Sequence, residues 1–356
     1  MTAMSARQRV TAALRGGTVD RVPFSFWLHN FVTENSAAGL AAETMRLHRT
    51  FDWDFLKPQS RAQCFAEMWG LGYTPSTDRA TMYAVTREPL ATAGDVASLR
   101  PVDPNSGALG EQLDALRRIR AAVGSDVPII WTVFSPMMVL PFLMKGGRAQ
   151  ALELLRTAPE AVGRALGAMA ETLAVYAQAS VAAGADGIFY ATNVATRALM
   201  SEAECRRFQR PYDLRVLAAV TDATFNLLHV CGDEIHFDEF ADYPVSAFSW
   251  ATTPGNPTLK DGHARTGRAV VGGLPAKPHI AAMKDAALVD RARSAIGEMN
   301  HRWHLLGPDC SINPDTPESL LHAVGAYVRT AARELLRDEA GMVDREQHQS
   351  PQGGTA

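Results

Sequence analysis

The sequence has only four cysteines in 356 residues: Cys64, Cys205, Cys231 and Cys310. That is too few to staple so long a chain, so a disulfide framework is excluded and a reducing cytoplasm is the natural compartment. It also lacks an excess of either charge. With 35 Lys and Arg against 38 Asp and Glu the formal net charge is −3, which gives no electrostatic case for nucleic acid or an anionic membrane as partner. No apolar run approaches the roughly 20 residues that a membrane helix needs, and residues 1–10 lack the apolar segment of a signal peptide. No glycine-rich dinucleotide fingerprint, Walker phosphate loop or internal repeat is found. Apolar residues, by contrast, are plentiful: 47% are hydrophobic and 21% charged, the balance of a globular chain with a large core.

Short apolar runs alternate with helical periods along most of the chain. Strands are expected at 20–27, 54–58, 127–134, 184–190, 224–231, 247–250, 269–273 and 303–307. Pro23, near the start of the first, is tolerable because only the interior of a ladder excludes proline. Helices are expected at 5–14 with Ser5 as cap, 36–51, 109–123, 149–183 with a break near Pro159, and 201–221. A last helix capped by Thr316 is expected to run to about 336. Residues 136–144 read as an apolar cap over one end, and 59–100 as an insertion of short strands and turns. Eight strands alternating with helices argue for an α/β protein with a (β/α)8 barrel fold, with residues 1–338 as one domain and 339–356 as a disordered tail. An open doubly wound sheet has the same strand count.

The most informative stretch is Leu227-Leu228-His229-Val230-Cys231-Gly232. Residues two apart on a strand share a face, so His229 and Cys231 project together, and imidazole with thiolate is half of a zinc site. In a barrel the loops after the strands gather at one mouth, which brings Cys310, after the eighth strand, toward this pair. Three ligands, His229, Cys231 and Cys310, with one open position form a catalytic rather than a structural zinc arrangement, suited to holding an incoming thiol as thiolate. A lone buried cysteine is ordinarily a small core hydrophobe, and Cys64 and Cys205 are read that way.

Other candidates have two readings each. Asp186 and Tyr190, near the ends of the fourth strand, can orient a ligand or act as acid or base, although Asp before Gly is often only a turn. Glu234, with Asp233, can occupy the open metal position or belong to a solvated loop. Gly272 and Gly273 can let a cofactor or substrate approach the backbone or simply end a strand. Asp309 can steady the metal through a hydrogen bond. Lys57, Trp27 and His29 are expected to face the mouth, with Lys57 its one cation. His263, His301 and His304 read as surface or core, and Met137, Met138 and Phe134 as core or an apolar pocket lining.

The chain resembles the uroporphyrinogen decarboxylase superfamily over roughly residues 5–335. The resemblance rests on Arg9-Val10-x4-Arg15-Gly16, Asp20-Arg21-Val22-Pro23, Leu228-His229-Val230-Cys231-Gly232, Gly272-Gly273 and Cys310-Ser311-Ile312-x4-Pro317-Glu318-Ser319-Leu320. Within it, the His-x-Cys pair with a distant Cys is similar to the zinc-dependent corrinoid methyltransferases. That likeness implies a (β/α)8 barrel, Zn2+, a small thiol acceptor such as coenzyme M or homocysteine, and cobalamin carried by a corrinoid partner protein. A homodimer is compatible with it. Decarboxylases of the superfamily carry an Arg-Gln-Ala-Gly-Arg segment after the first strand. Here the stretch is Phe26-Trp27-Leu28-His29-Asn30-Phe31, with no arginine to meet a polycarboxylate. Three functions follow: a zinc-dependent thiol methyltransferase, a lyase acting on a non-porphyrin carboxylate, and a non-catalytic zinc- or corrinoid-binding barrel.

Overall fold

Short polar side chains start several of the helices. In the computed structural model, which describes residues 3–331, Ser5 Oγ accepts from the Gln8 amide and Gln8 accepts from the Ser5 amide, so the helix Ala6–Leu14 opens on a capping box. Ser36 caps Ala37–Phe51 by accepting the Gly39 amide, and Ser135 caps Pro136–Leu143 by accepting the Met138 amide. Pro159 begins Pro159–Ala182, where its missing N–H costs nothing. The expected helix over 201–221 is instead Glu202–Glu204, a wider π turn over Cys205–Gln209, and Arg210–Ala218. Pro211 has no N–H to continue the regular pattern, which accounts for the widened turn. A final helix covers 318–331; the rest of that expected helix, and the tail, lie outside the described residues. No described helix is long and apolar enough to cross a membrane.

The stretch 59–100 holds the helices Cys64–Glu67 and Ala93–Ala97 around an antiparallel hairpin of β1 (Gly72–Thr74) and β2 (Ala84–Arg87). Then come six parallel strands in chain order: β3 (Ile130–Phe134), β4 (Gly187–Thr192), β5 (Leu227–Val230), β6 (Ala247–Trp250), β7 (Ala269–Leu274) and β8 (His304–Pro308). β3–β6 and β8 are buried throughout, as strands covered by helices on one side and a filled lumen on the other must be.

The other two expected strands form staves with little ladder. Phe24 bridges Leu306 of β8, Leu56 bridges Ile129 just before β3, and the Asp54 amide donates to Phe24 O at 3.0 Å. These links join β8 to β3 and close the (β/α)8 barrel. Proline explains the sparse pairing: Pro23 and Pro128 lack N–H donors, and each uses its carbonyl to accept a cross-strand bond, from Leu306 and Leu56 respectively.

Ion pairs pin the end of the barrel where its strands begin. Arg9 forks onto Asp20 at 2.6 and 2.8 Å, while Asp54 receives both Arg9 and Arg21 and accepts the Phe24 amide at 2.9 Å. Asp186 sits just before β4 at this same end. It receives Arg7 and Arg120, each at 2.6 Å, and the Ile129 amide at 2.8 Å. A cavity of about 570 Å³ opens nearby, lined by Arg7, Thr224, Ser246 and Trp303 among others, and contains none of the clustered thiol and imidazole groups.

Candidate metal centre at the barrel mouth

β5 delivers the first two groups. In register with it, Ala191 of β4 and Ser249 of β6 flank His229. With the proton on Nδ1, His229 donates to Ser249 Oγ at 3.2 Å, leaving a lone pair on Nε2. Nε2 is buried and has no hydrogen-bond partner. Two residues on, Cys231 extends the strand through its amide to Thr192 O at 2.8 Å and points its sulfur the same way. Gly232 then turns the chain at φ +128, where a Cβ would lie 2.6 Å from Thr196 Cγ2, so only glycine makes this exit.

Cys310 arrives from beyond β8. Asp309 fixes its position: its amide donates to Leu274 O at 2.7 Å, and its carboxylate accepts the Gly273 amide at 3.3 Å and the Thr252 amide at 3.1 Å. One carboxylate thereby ties together the exits of β6, β7 and β8. Burial pushes Asp309 up to about 6, against the hydrogen bonds that favour its charge.

The result is a cluster of His229, Cys231 and Cys310 whose ligand atoms all lie within 4.8 Å of one another. The sulfurs of Cys231 and Cys310 are 3.8 Å apart, and neither forms a disulfide. The hydrogen bond between the two sulfurs, which either can donate, holds Cys310 well below the usual thiol range and, with burial, pushes Cys231 up. Two sulfurs of a tetrahedral ion with metal–sulfur bonds of about 2.3 Å sit about 3.8 Å apart. The sulfur spacing and the unpartnered Nε2 therefore fit Zn2+.

An aromatic wall faces the cluster. Phe189 stacks on His229 with centroids 5.2 Å apart and packs edge-on to Trp27 at 5.7 Å. Lys57, buried at the end of the second stave, lays its ammonium over the Phe189 ring, 4.6 Å from its centroid. Lys57 donates to Gln59 Oε1, Gln59 Nε2 donates to His29 Nε2 at 2.7 Å, and His29 Nδ1 donates to Glu34 at 2.8 Å. The insertion closes over this side: the Arg79 carbonyl accepts from the Phe31 amide, and its guanidinium donates to Pro314 O at 2.7 Å.

Several sequence expectations need correction. Asp186 lies at the opposite end of the barrel because it precedes β4, and only residues after a strand reach the mouth. Tyr190 points outward: its hydroxyl donates to buried Asp213 at 2.6 Å, which also accepts from Gln209 and Tyr243. Burial pushes Asp213 up to about 7 despite these three donors. Glu234 stands exposed on the rim with its side chain over Gly255, and Asp233 accepts from Thr253 at 2.6 Å; neither joins the cluster. Gly273 has φ +100 and would drive a Cβ to 2.4 Å from Ala295, so it serves helix packing, while Gly272 lies beside Asp309. Lys57 is not the one cation here, since exposed Arg148 and Lys277 also favour the charged form of Cys231. Ser249, Gln59 and Glu34 were not singled out from the sequence. The register of β5 against β6 would have found Ser249, but no local pattern marks the other two.

A (β/α)8 barrel with two thiols and an imidazole gathered at its mouth defines the class: a barrel with a candidate metal centre among its strand-exit loops. The chain belongs to the uroporphyrinogen decarboxylase (URO-D) family, whose model matches residues 5–331. It is 26% identical over 261 residues to the uroporphyrinogen decarboxylase of Sorangium cellulosum, covering 72% of this chain and 73% of that one. It is 24% identical over 247 residues to the methylcobamide:CoM methyltransferase MtbA of Methanosarcina acetivorans, covering 65% and 72%. In structure it is similar to a methyltransferase from Methanosarcina mazei, with a TM-score of 0.76 over 94% of this chain and 99% of that one at 21% identity. That likeness supports the barrel fold.

Proposed function

We propose that this protein is a zinc-dependent methyltransferase that activates a thiol for methyl transfer from a corrinoid or related donor. The observation that carries this reading is the cluster itself: two sulfurs 3.8 Å apart beside a buried histidine nitrogen without a partner, opening to the mouth. His229, Cys231 and Cys310 would hold the ion, with Ser249 and Asp309 fixing two of them. Zinc bound there lowers the pKa of an acceptor thiol, so that its sulfur is nucleophilic at neutral pH. Phe189 and Trp27 exclude water from one side of the site. The acceptor sulfur supplies the electron pair of the new S–C bond, and the pair of the broken bond leaves with the donor. A corrinoid protein docked at the mouth is the expected donor partner, by analogy with the methylcobamide named for MtbA. Free thiols fit a reducing cytoplasm.

A lyase acting on a non-porphyrin carboxylate is the alternative, and the rim cations Arg148 and Lys277 are the feature that favours it. Against it, the exit of the first stave has no arginine, and the one buried cation at this wall, Lys57, already bonds Gln59. The zinc-loaded protein is expected to demethylate methylcobalamin in the presence of 2-mercaptoethanesulfonate or homocysteine, seen as loss of the methylcobalamin absorbance and appearance of the methyl thioether by mass spectrometry. No transfer to either thiol at full zinc occupancy, with carbon dioxide released from a carboxylate panel, would replace this reading with the lyase.

A further inference from the structure

The cavity of about 570 Å³ at the end where the strands begin takes no part in the chemistry above. Its charged lining has one sign: Arg7, Arg15 and Arg268 border it, and no carboxylate does. The first helix supplies one wall. Arg7, Thr11 and Arg15 stand four residues apart, so they follow one another along one face of Ala6–Leu14 and its cap. Phe225 and Val245, just before β5 and β6, and Trp303, just before β8, give the other wall its apolar surface.

The charges here are positioned but not neutralised. Arg7 donates through Nε to Ser125 O at 2.5 Å and through Nη1 to Asp186 at 2.6 Å, which leaves Nη2 without a partner among the described residues. Asp186 also receives Arg120, so one carboxylate answers two guanidiniums. Arg15 and Arg268 are exposed at the rim, and neither forms an ion pair among the described residues. Both are tied to Trp303. Gly16, next to Arg15, leaves room for the indole, since a Cβ there would lie 2.0 Å from Trp303 Cε2. His263 lies against the same indole with centroids 5.2 Å apart and, with its proton on Nδ1, donates to the Arg268 carbonyl at 2.7 Å. Trp303 itself sits at φ +56, in the left-handed region, where a bulky residue is strained and stays only because its surroundings fix it.

We propose that this cavity is a second binding site, separate from the metal centre, for a small organic anion. Arg7, Arg15 and Arg268 meet its phosphate or carboxylate head, and Trp303 and Phe225 take its flat apolar body. A guanidinium recognises either head through paired N–H donors. The volume is that of an ordinary small-molecule site, with apolar walls and a few polar groups that fix orientation. The site stands whether or not the metal centre activates a thiol, because the two share no residue.

Isothermal titration calorimetry of the full-length protein tests this with 1-naphthyl phosphate, 1-naphthoate, 1-naphthol and inorganic phosphate as probes. At least one of the two naphthyl anions should bind at one site per chain, at least about tenfold tighter than 1-naphthol or inorganic phosphate. Whichever binds tighter identifies the head that the site takes. Arg15→Met combined with Arg268→Met, checked for unchanged circular dichroism, should weaken that anion at least about tenfold and leave 1-naphthol as it was. Arg148→Met combined with Lys277→Met removes two cations near the metal centre at the opposite end and should change nothing. Three results would overturn the site. They are no saturable binding of either naphthyl anion up to about 5 mM, equal affinity for those anions and 1-naphthol, or a loss in the Arg148 and Lys277 variant rather than in the Arg15 and Arg268 variant.

Discussion

Cys310→Ala is expected to purify as a folded barrel with well under about one tenth of a zinc per chain, where the wild type carries about one. Removing it leaves two ligands, His229 and Cys231, and two donors from one strand cannot close a tetrahedral site. It also removes the hydrogen-bond partner of the Cys231 thiol, so the remaining sulfur loses the group with which it shares a proton. Methyl transfer should fall to the background of metal-free protein. The barrel should survive, because Cys310 lies on a loop beyond β8 and Asp309, which holds three exits together, is untouched. Cys205→Ala is the control: Cys205 is fully buried behind β4, and its loss should leave zinc content unchanged. Elemental analysis with circular dichroism decides this. Stoichiometric zinc in Cys310→Ala would remove Cys310 from the ligand set.

The largest effect on stability is expected at Asp54. Its carboxylate is 1% exposed and meets Arg9, Arg21 and the Phe24 amide. Asp54→Ala leaves the part-buried Arg21 guanidinium and the buried Phe24 N–H without their partner, and Arg9 with Asp20 as its remaining carboxylate, a loss of about 3–5 kcal/mol. It also removes one of the bonds between the first stave and the second, at the junction where the barrel closes with the fewest ladder bonds. Asp54→Asn keeps an acceptor for Phe24 but not the charge, and should fall between the wild type and Asp54→Ala. Equilibrium urea unfolding measures both. A loss below about 1 kcal/mol for Asp54→Ala would mean that the closure does not depend on this carboxylate.

Much of this molecule was legible in the sequence because its signals are local. Ser5, Ser36 and Ser135 mark helix starts by side chains that bond within three residues. His229 and Cys231 share a face by strand geometry, and Cys310 joins them because a barrel sends all its strand exits to one mouth. The misassigned residues turn on direction and parity. Asp186 is at the entry of β4 rather than its exit, and Tyr190 falls on the outward face; since Ala191 pairs with inward-facing His229, the inward set of β4 is Phe189 and Ala191. The Glu34–His29–Gln59–Lys57 chain joins parts of two staves and the loops after them, and its pairing depends on side-chain reach that no periodicity encodes. The staves look like strands by composition, yet Pro23 and Pro128 leave them only single bridges.

The most direct measurement is X-ray absorption at the zinc edge of the loaded protein, before and after saturation with the acceptor thiol. Thiol activation at His229, Cys231 and Cys310 requires two sulfur ligands near 2.3 Å in the first spectrum and a third in the second. Two sulfurs in both spectra, with thiol bound to the protein, would contradict it.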